Sequence, residues 1–471
     1  MSLKSSLSII LLIFFFSITG YVLVKSYPKF KTPYSHIVNN EPIVVTLEFW
    51  GIWDNSDDWQ KITDKFKNKT YNLNGQKINI IINYTKKNYN SYENEIAEST
   101  NKKNGPNIFM INNNWFEKYL NQLEPLENNE AYKEEYDFLS YSDIPDIFPT
   151  RIIMDVVYKN QLYGMPLNSD SLALYYNKDL FKKANLTSPP STWKDFKKYT
   201  KKLTTINKKG HITQSGAIFG AGSNINRSSD ILSLLIIQGG GKIIDENKAI
   251  DINKEIEVNT IDGIEKRNPG KNAIEFYTEF SNPKKEIYSW DSNWENSIKT
   301  FTQGKAAMMI GYEYHINNLI VLNSNLNYDI AKMPQLENST PINFSNTWIP
   351  VVSNRNNCKV EPIEFANEID CKKISWSFLS FAIEKENSKK YLDLTNKIAS
   401  RKDLIEEQIK ANDKTSVFAS QIESSLNYNK FDDQIDIILT EMIDNINLDE
   451  ENLLTEVDNA VVKIESLKTE N

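Results

Sequence analysis

The 471-residue chain contains two cysteines and three histidines, too few for a disulfide scaffold, and they do not have the spacing of a zinc site. It has no excess of positive charge, since 62 aspartates and glutamates outnumber 54 lysines and arginines and the net charge is −8. A nucleic-acid partner is therefore not expected, because such binders need a basic face. The chain also lacks a nucleophile elbow, a P-loop and an HExxH helix. We expect no catalytic residue, no cofactor and no metal.

Only one long apolar run is present, at residues 7–24, with Lys4 before it and Lys25 after it. These roughly 18 uncharged residues span about 27 Å as a helix, just enough for a bilayer core. No A-x-A cleavage site and no lipoprotein cysteine follow the run. We predict an uncleaved transmembrane anchor in the cell membrane, with a cleaved signal peptide as the alternative. No later segment is apolar enough to span, so the long part of the chain after the run is expected to be extracytoplasmic.

The length of the chain exceeds what one hydrophobic core usually serves, which predicts two lobes. In the first part, strand-like runs at residues 44–50, 78–84 and 107–111 alternate with helix-like patterns. This order predicts an α/β lobe with a mostly parallel sheet. Ligands of such sheets bind beyond the carboxyl ends of the strands, so the loops at residues 50–55 and 112–115 are candidate binding loops.

A second lobe is predicted in the next part of the chain. Residues 172–176 and 306–310 are expected to form strands. An apolar helix is expected at residues 229–238, because three glycines follow it and glycine commonly ends helices. Thr192 and Asp195 have the spacing of a capping box at the start of another helix.

Polar and helical patterns fill the remaining parts of this second half. Residues 245–285 are polar and contain two Asn-Pro pairs, which predicts loops or insertions. The C-terminal third carries apolar stripes at helical spacing, which predict helices packed onto a sheet. These stripes lie at residues 372–385, 431–446 and 452–467.

Five motifs follow one another along the part of the chain after the apolar run. They are GPNI at 105–108, the segment from YGMPL at 163–167 through LYYNKDLF at 174–181 to PPSTW at 189–193, QGGG at 238–241, FTQGKAAMMI at 301–310 and ASRKD at 399–403. In this order they resemble family 1 extracellular solute-binding proteins, the sugar-binding components of bacterial ABC importers. The resemblance covers roughly residues 43–443. Each motif alone is weak evidence for this family. All five occur in the order and spacing of the family, which makes the resemblance specific.

The resemblance implies a two-lobe α/β fold of the periplasmic-binding-protein type (type II), with a hinge and an interlobe cleft. The chain would cross near Pro166 and return within residues 333–346. After an anchor and spacer at residues 1–42, the implied lobes combine separate stretches of sequence. Lobe 1 comprises residues 43–168 and 347–393, and lobe 2 comprises residues 169–346 and 394–471.

The implied function is to capture a carbohydrate, first of all an oligosaccharide, and to deliver it to the permease subunits of an ABC importer. The protein is expected to be a monomer, held to the membrane by its N-terminal helix, and not an enzyme. A membrane-anchored glycan-binding adhesion protein without a transporter is one alternative. An enzyme that acts on glycans is another, because Asp54, Asp170 and Glu313 have no catalytic signature but are expected near one cleft.

Carbohydrate sites combine aromatic faces, which stack on sugar rings, with amides, carboxylates and guanidinium groups that bond hydroxyls. The candidate loops contain these residue types at positions that the resemblance places in the cleft. The predicted ligand-binding residues are Trp53, Asp54, Asn113, Asn114, Trp115, Asp170, Asn226, Arg227, Tyr312, Tyr314 and Trp348.

A structural role remains the alternative for several of these side chains. For Trp53 and Trp348, the alternative role is to pack in the core. For Asp230, beside Arg227, the alternative role is to cap the apolar helix. His315 lacks a second metal ligand at helical or strand spacing, so we expect a structural histidine.

Cys358 and Cys371 are separated by twelve intervening residues in a polar stretch that precedes a predicted helix. An exported chain is free to pair them in a disulfide, which would add roughly 3 kcal/mol in the chain-entropy description. Two free thiols are the alternative.

Overall fold

A computed structural model describes residues 42–67, 71–73, 76–99, 105–128, 139–244, 249–260, 263–426, 433–449 and 452–467. The predicted membrane segment at residues 7–24 lies outside these described residues. Within them, no helix is both long enough and apolar enough to cross a bilayer.

Strands and helices alternate along most of the described chain. The strands are β1 (Ile43–Gly51), β2 (Tyr71–Leu73), β3 (Gln76–Lys86), β4 (Ile108–Asn112), β5 (Val157–Tyr158), β6 (Gln161–Leu162), β7 (Asn168–Ser169), β8 (Ala173–Asn177), β9 (Thr205–Ile206), β10 (Ile212–Gln214), β11 (Ile256–Thr260), β12 (Gly263–Arg267), β13 (Met308–Gly311), β14 (Tyr328–Ala331), β15 (Asn343–Phe344), β16 (Trp348–Val352), β17 (Lys359–Glu361), β18 (Ile398–Ala399) and β19 (Ser425–Leu426). The α-helices are α1 (Ser56–Lys67), α2 (Tyr89–Ser99), α3 (Phe116–Tyr119), α4 (Ile144–Ile147), α5 (Thr150–Met154), α6 (Lys178–Lys183), α7 (Trp193–Leu203), α8 (Ser228–Gln238), α9 (Pro269–Thr278), α10 (Ser297–Thr302), α11 (His315–Leu322), α12 (Cys371–Ile383), α13 (Lys385–Thr395), α14 (Lys402–Ala411), α15 (Lys414–Ala419), α16 (Gln434–Leu448) and α17 (Leu453–Leu467).

The larger sheet forms the centre of lobe 1. Its strand order is β16-β4-β1-β3-β2, and β17 pairs with β1. β1 runs parallel to β3 and β4, as the sequence predicts, whereas β16 is antiparallel to β4. Every residue of β4 is buried, because helices and loops cover both faces of the sheet. Helices α1 and α12 pack against this sheet.

The smaller sheet forms the centre of lobe 2. It has the order β13-β8-β14, and both pairs are antiparallel. Helix α8 is apolar around nearly its whole circumference and is buried at almost every position. Helices α16 and α17 pack against each other and against α8 and α9. The prediction that these C-terminal stripes pack onto a sheet is therefore wrong for this pair, because the apolar surface that they cover belongs to helices.

The polar region at residues 245–285 is more ordered than its composition predicts. β11 and β12 form an antiparallel hairpin, and α9 follows directly. The Asn268 side chain accepts a hydrogen bond from the Lys271 backbone N–H at 2.9 Å, and Pro269 takes the first helical position. Proline is tolerated at the first helical position because a backbone N–H there would have no acceptor within the helix. The Asn-Pro pair thus begins a helix, and the prediction of a loop at this point is wrong.

Three segments run beside one another between the two sheets. β7 pairs with β18, Gly164 bridges Val351, and Ser171 bridges Ser345. The return crossing therefore lies at the end of the predicted stretch and continues into β16. A Cβ atom on Gly164 would lie 2.6 Å from Ile349 Cγ2, so glycine permits the close approach of the two crossing chains.

A disulfide links the segment before β17 to the first residue of α12. The paired residues are Cys358 and Cys371, and their Cα atoms are 5.7 Å apart. The bond closes a short loop that contains β17, and β17 pairs with the first half of β1.

Candidate functional site

An aromatic cluster lies where the parallel strands of lobe 1 end. Trp53 follows β1, Tyr89 follows β3, Trp115 follows β4, and Trp348 begins β16. The ring centre of Trp53 is 5.3 Å from that of Tyr89 and 5.7 Å from that of Trp348. Trp115 contacts Trp348 edge-on at 5.0 Å. Trp53 and Tyr89 are each 47% exposed, whereas Trp115 is buried, so the cluster presents aromatic faces on a packed base.

The loop after β13 supplies the aromatic side chains of lobe 2. Tyr314 is 43% exposed, and its ring stacks on His315 at 4.1 Å. Its hydroxyl donates a hydrogen bond to Asn226 Oδ1 at 3.0 Å. Tyr312 is buried and donates to Asp230 Oδ2 at 2.7 Å. Of the two predicted tyrosines, therefore, Tyr314 is partly exposed, whereas Tyr312 is buried and holds the loop. Contact of either tyrosine with a ligand stays a prediction.

His315 orients the side chain of Asn226. The backbone N–H of Tyr312 donates to His315 Nδ1 at 2.9 Å, which places the ring proton on Nε2. That Nε2 lies 3.0 Å from Asn226 Oδ1 and donates to it. Burial lowers the pKa of His315 to about 4, so the ring is neutral near pH 7. The expected structural histidine thus also holds a predicted ligand-binding amide.

Arg227 lies at the N-terminus of α8 in the left-handed backbone region, with φ of 61°. Its Nε donates to Asp230 Oδ2 at 2.7 Å, and Asp230 is fully buried. The guanidinium is therefore fixed by an ion pair within lobe 2. Arg227 therefore brings a positive charge to this loop, and that charge is already paired with a carboxylate.

The two lobes contact each other directly at Trp115, one of the side chains of the aromatic cluster. Trp115 Nε1 donates to Asp433 Oδ1 at 2.6 Å, which joins lobe 1 to the residue before α16. Burial raises the pKa of Tyr89, and Asp433 and Arg227 of lobe 2 act on its hydroxyl in opposite directions. Tyr89 therefore faces charged groups of the opposite lobe across the cleft.

Charged side chains lie beside the crossing segments, at the base of the cleft. Asp54 is 6% exposed, accepts hydrogen bonds from Trp59 Nε1 at 3.2 Å and Tyr391 Oη at 2.9 Å, and forms an ion pair with Lys397. Asp170 accepts the backbone N–H of Glu313 at 3.2 Å. Burial, reinforced by the charge of Glu313, raises the pKa of Asp170 well above its ordinary value.

The predicted amides after β4 lie inside lobe 1. Asn113 is 1% exposed, receives the Thr347 backbone N–H and donates to Asp155 Oδ2 at 3.3 Å. Asn114 is also buried, and its backbone N–H donates to Asn112 Oδ1. These contacts, like those of Asp54, are internal and favour a structural role. Their contact with a ligand stays a prediction.

Sequence reasoning missed two residues that the structure places beside the cleft, Tyr89 and Asp433. Tyr89 follows the carboxyl end of a parallel strand, and the rule applied to the loops after β1 and β4 would also have found it. Glu313, between two tyrosines, was expected near the cleft as a residue that assists the tyrosine platform. Asp433 meets Trp115 across 318 residues of sequence, and no local pattern signals such a contact.

Two α/β lobes, joined by adjacent crossing segments and facing each other across an aromatic and polar cleft, define a solute-binding protein. The chain matches the family described as "Bacterial extracellular solute-binding protein" over residues 61–417. It therefore belongs to that family, and the resemblance noted in its motifs is confirmed.

The similar proteins bind solutes of several kinds. The galactooligosaccharide-binding protein of Bacillus subtilis (strain 168) is 28% identical over 201 residues, which are 42% of each chain. A putative binding protein of Brucella abortus (strain 2308) is 24% identical over 51% of each chain. The chain thus spans about half the length or less of these curated relatives.

Solved structures show the fold over nearly the whole length. The sugar-binding protein MalE of Xanthomonas citri superposes with a TM-score of 0.68 at 14% identity, covering 90% of this chain and 98% of that one. UgpB from Mycobacterium tuberculosis, in complex with glycerophosphocholine, gives 0.66 at 14% identity, with 90% and 98% coverage. These similarities confirm the predicted two-lobe fold.

Proposed function

We propose that the protein captures a carbohydrate, first of all an oligosaccharide, in the interlobe cleft. The observation that carries this proposal is the pair of half-exposed aromatic rings, Trp53 in lobe 1 and Tyr314 in lobe 2. A sugar ring offers C–H faces that stack on such rings from either side. A ligand that contacts both lobes would favour the closed arrangement, because those contacts form together only there.

The polar groups around these rings support a hydroxyl-rich ligand. Asn226 is oriented by His315, Arg227 is fixed by Asp230, and Asp170 lies beside the crossing segments. Rigidly held amide, guanidinium and carboxylate groups bond hydroxyls with little ordering cost. The names of the galactooligosaccharide-binding and sugar-binding relatives agree with this ligand class.

We further propose that the bound solute passes to the permease of an ABC importer. The chain would act as a monomer whose lobes have the boundaries predicted from the sequence, with residues 7–24 as a membrane anchor. Family membership supports an extracytoplasmic binding domain. Loss of uptake of a labelled oligosaccharide on deletion of the gene would support the transport role. Unchanged uptake with retained binding would favour the surface glycan-binding alternative.

Calorimetric titration with a panel of oligosaccharides tests the binding function. Trp53→Ala and Tyr314→Ala are each expected to weaken binding roughly tenfold, since a stacked aromatic ring contributes about 1 kcal/mol or more. Ile363→Ala is the control, because Ile363 is 77% exposed on the edge of lobe 1. Absence of binding by every carbohydrate, or equal binding by all three variants, would contradict the proposal.

A further inference from the structure

Glu313 is a buried carboxylate for which the described part of the chain supplies no hydrogen-bonding partner. The residue is 5% exposed and follows β13 between the two cleft tyrosines. Its backbone N–H donates to Asp170. Among the described residues, its carboxylate oxygens receive no hydrogen bond and form no ion pair. A buried carboxylate without a partner is costly in its charged form and shifts its pKa, so a carboxyl left without a protein partner beside the cleft is a candidate to pair with a ligand.

Glu313 lies near a second carboxyl and one cation. Its charge acts on the carboxyl of Asp170, and Lys397 acts on both of them. Lys397 is already paired with Asp54. Burial raises the pKa of Glu313 to about 7, so the carboxyl is only partly ionised near pH 7, and a cation bound beside it would favour the ionised form. Within the described part of the chain, no group of three acidic, histidine or cysteine side chains is placed to hold a metal ion.

We propose that Glu313 and Asp170 bind a protonated amino group, so that the solute is an amine-bearing carbohydrate. This inference rests on the proposed function and names its ligand class. An ammonium group has three N–H donors and can bond two carboxylates at once, which a single hydroxyl cannot do. The exposed faces of Trp53 and Tyr314 also attract a cation. A neutral sugar offers these carboxyls no opposite charge and so would not favour their ionised form.

A matched pair of ligands tests the inference. Oligomers of glucosamine and of N-acetylglucosamine, of equal length, are titrated calorimetrically into the full-length protein at near-neutral pH. We expect the amine-bearing oligomer to bind at least about tenfold more tightly, as one charge-assisted hydrogen bond allows. Glu313→Gln should reduce this preference to near unity, and Asp170→Asn should reduce it independently. Glu337→Gln, an exposed carboxylate in a surface ion pair, should preserve it.

The outcomes separate this inference from the carbohydrate function. Equal or tighter binding of the N-acetylated oligomer overturns the inference and leaves carbohydrate binding intact. A preference that persists in folded Glu313→Gln and Asp170→Asn also overturns it. Binding of a linear diamine, lost in Glu313→Gln, without binding of any sugar supports the amine site and overturns the carbohydrate function. Folding of each variant is checked by circular dichroism before titration.

Discussion

Neighbouring residues of one loop have opposite environments in this cleft. Trp53 is 47% exposed, whereas Asp54 is 6% exposed and bonded internally. The position of the loop after β1 was predictable, because parallel strands place their carboxyl ends at one edge of a sheet. The direction of each side chain was not, since it depends on Tyr391 and Lys397, which lie more than 330 residues away in sequence.

Replacement of Asp54 by asparagine tests the structural role that these contacts indicate. The change leaves Lys397 without its anionic partner, so the free energy of unfolding should fall by about 2–4 kcal/mol. Urea unfolding measures this difference. Asp64→Asn, at an exposed position of α1, should change the value by no more than about 0.5 kcal/mol. Unchanged stability of Asp54→Asn together with lost ligand binding would instead support the predicted ligand contact.

The raised pKa of Glu313 makes stability depend on pH. Burial raises this pKa from 4.5 to about 7, so the folded state holds the proton more tightly than the unfolded state. The contribution of this group to stability is therefore full below about pH 4.5 and is lost as pH rises through about 7. Glu313→Gln removes the loss and should gain up to about 3 kcal/mol relative to the native protein at pH 8. Denaturant unfolding at both ends of the range gives the difference, and a pH-independent difference would contradict it.

Sequence patterns at helix ends predicted the structure correctly where each pattern is typical of only one kind of local structure. Thr192 accepts the Asp195 backbone N–H at 3.1 Å, as the capping-box spacing predicts. Asn268 and Pro269 form a pair that begins either a turn or a helix, and composition favoured the turn. Burial of Ile274 and Tyr277 decides for the helix, and that burial depends on partners from distant parts of the chain. Strand and helix periodicity thus predicted most elements but not this one.

Removal of the Asn268 cap measures how much that pair stabilises α9. Asn268→Ala deletes the acceptor for the Lys271 N–H and should lower the free energy of unfolding by about 1 kcal/mol. Asn272→Ala, at an exposed position inside the same helix, should be neutral or slightly stabilising, because alanine is the better helix former. Thermal or urea unfolding compares the two variants. Equal losses would show that the cap is not the cause.

The relation between the lobes is a property of the whole molecule that no local pattern contains. The motifs predicted two lobes and the crossing near Pro166, because these follow from the order of elements along the chain. The contact between Trp115 and Asp433 depends on how closely the lobes approach each other. It joins side chains of different lobes that are 318 residues apart in sequence, so it stabilises the observed arrangement of the lobes directly.

Asp433→Ala should shift the lobes toward a more open arrangement. The variant loses the 2.6 Å bond to Trp115 Nε1, and Asp433 makes no capping hydrogen bond to α16 that would be lost with it. Without ligand, the radius of gyration from small-angle scattering should increase. Ligand affinity should fall by up to about tenfold, because a smaller fraction of molecules is competent to bind. Asp393→Ala, exposed on α13, is the control, and the absence of both effects would show that this contact does not set the arrangement.

The position of β1 determines which half of the molecule would move. β1 is the middle strand of the lobe 1 sheet, and the chain that precedes Ile43 leaves from there. If a membrane anchor holds that chain, lobe 1 is the stationary half and closure rotates lobe 2 relative to the membrane. Helices α16 and α17 would then rotate with lobe 2. A permease bound to lobe 2 would be displaced by this closure, whereas a permease bound to lobe 1 would not.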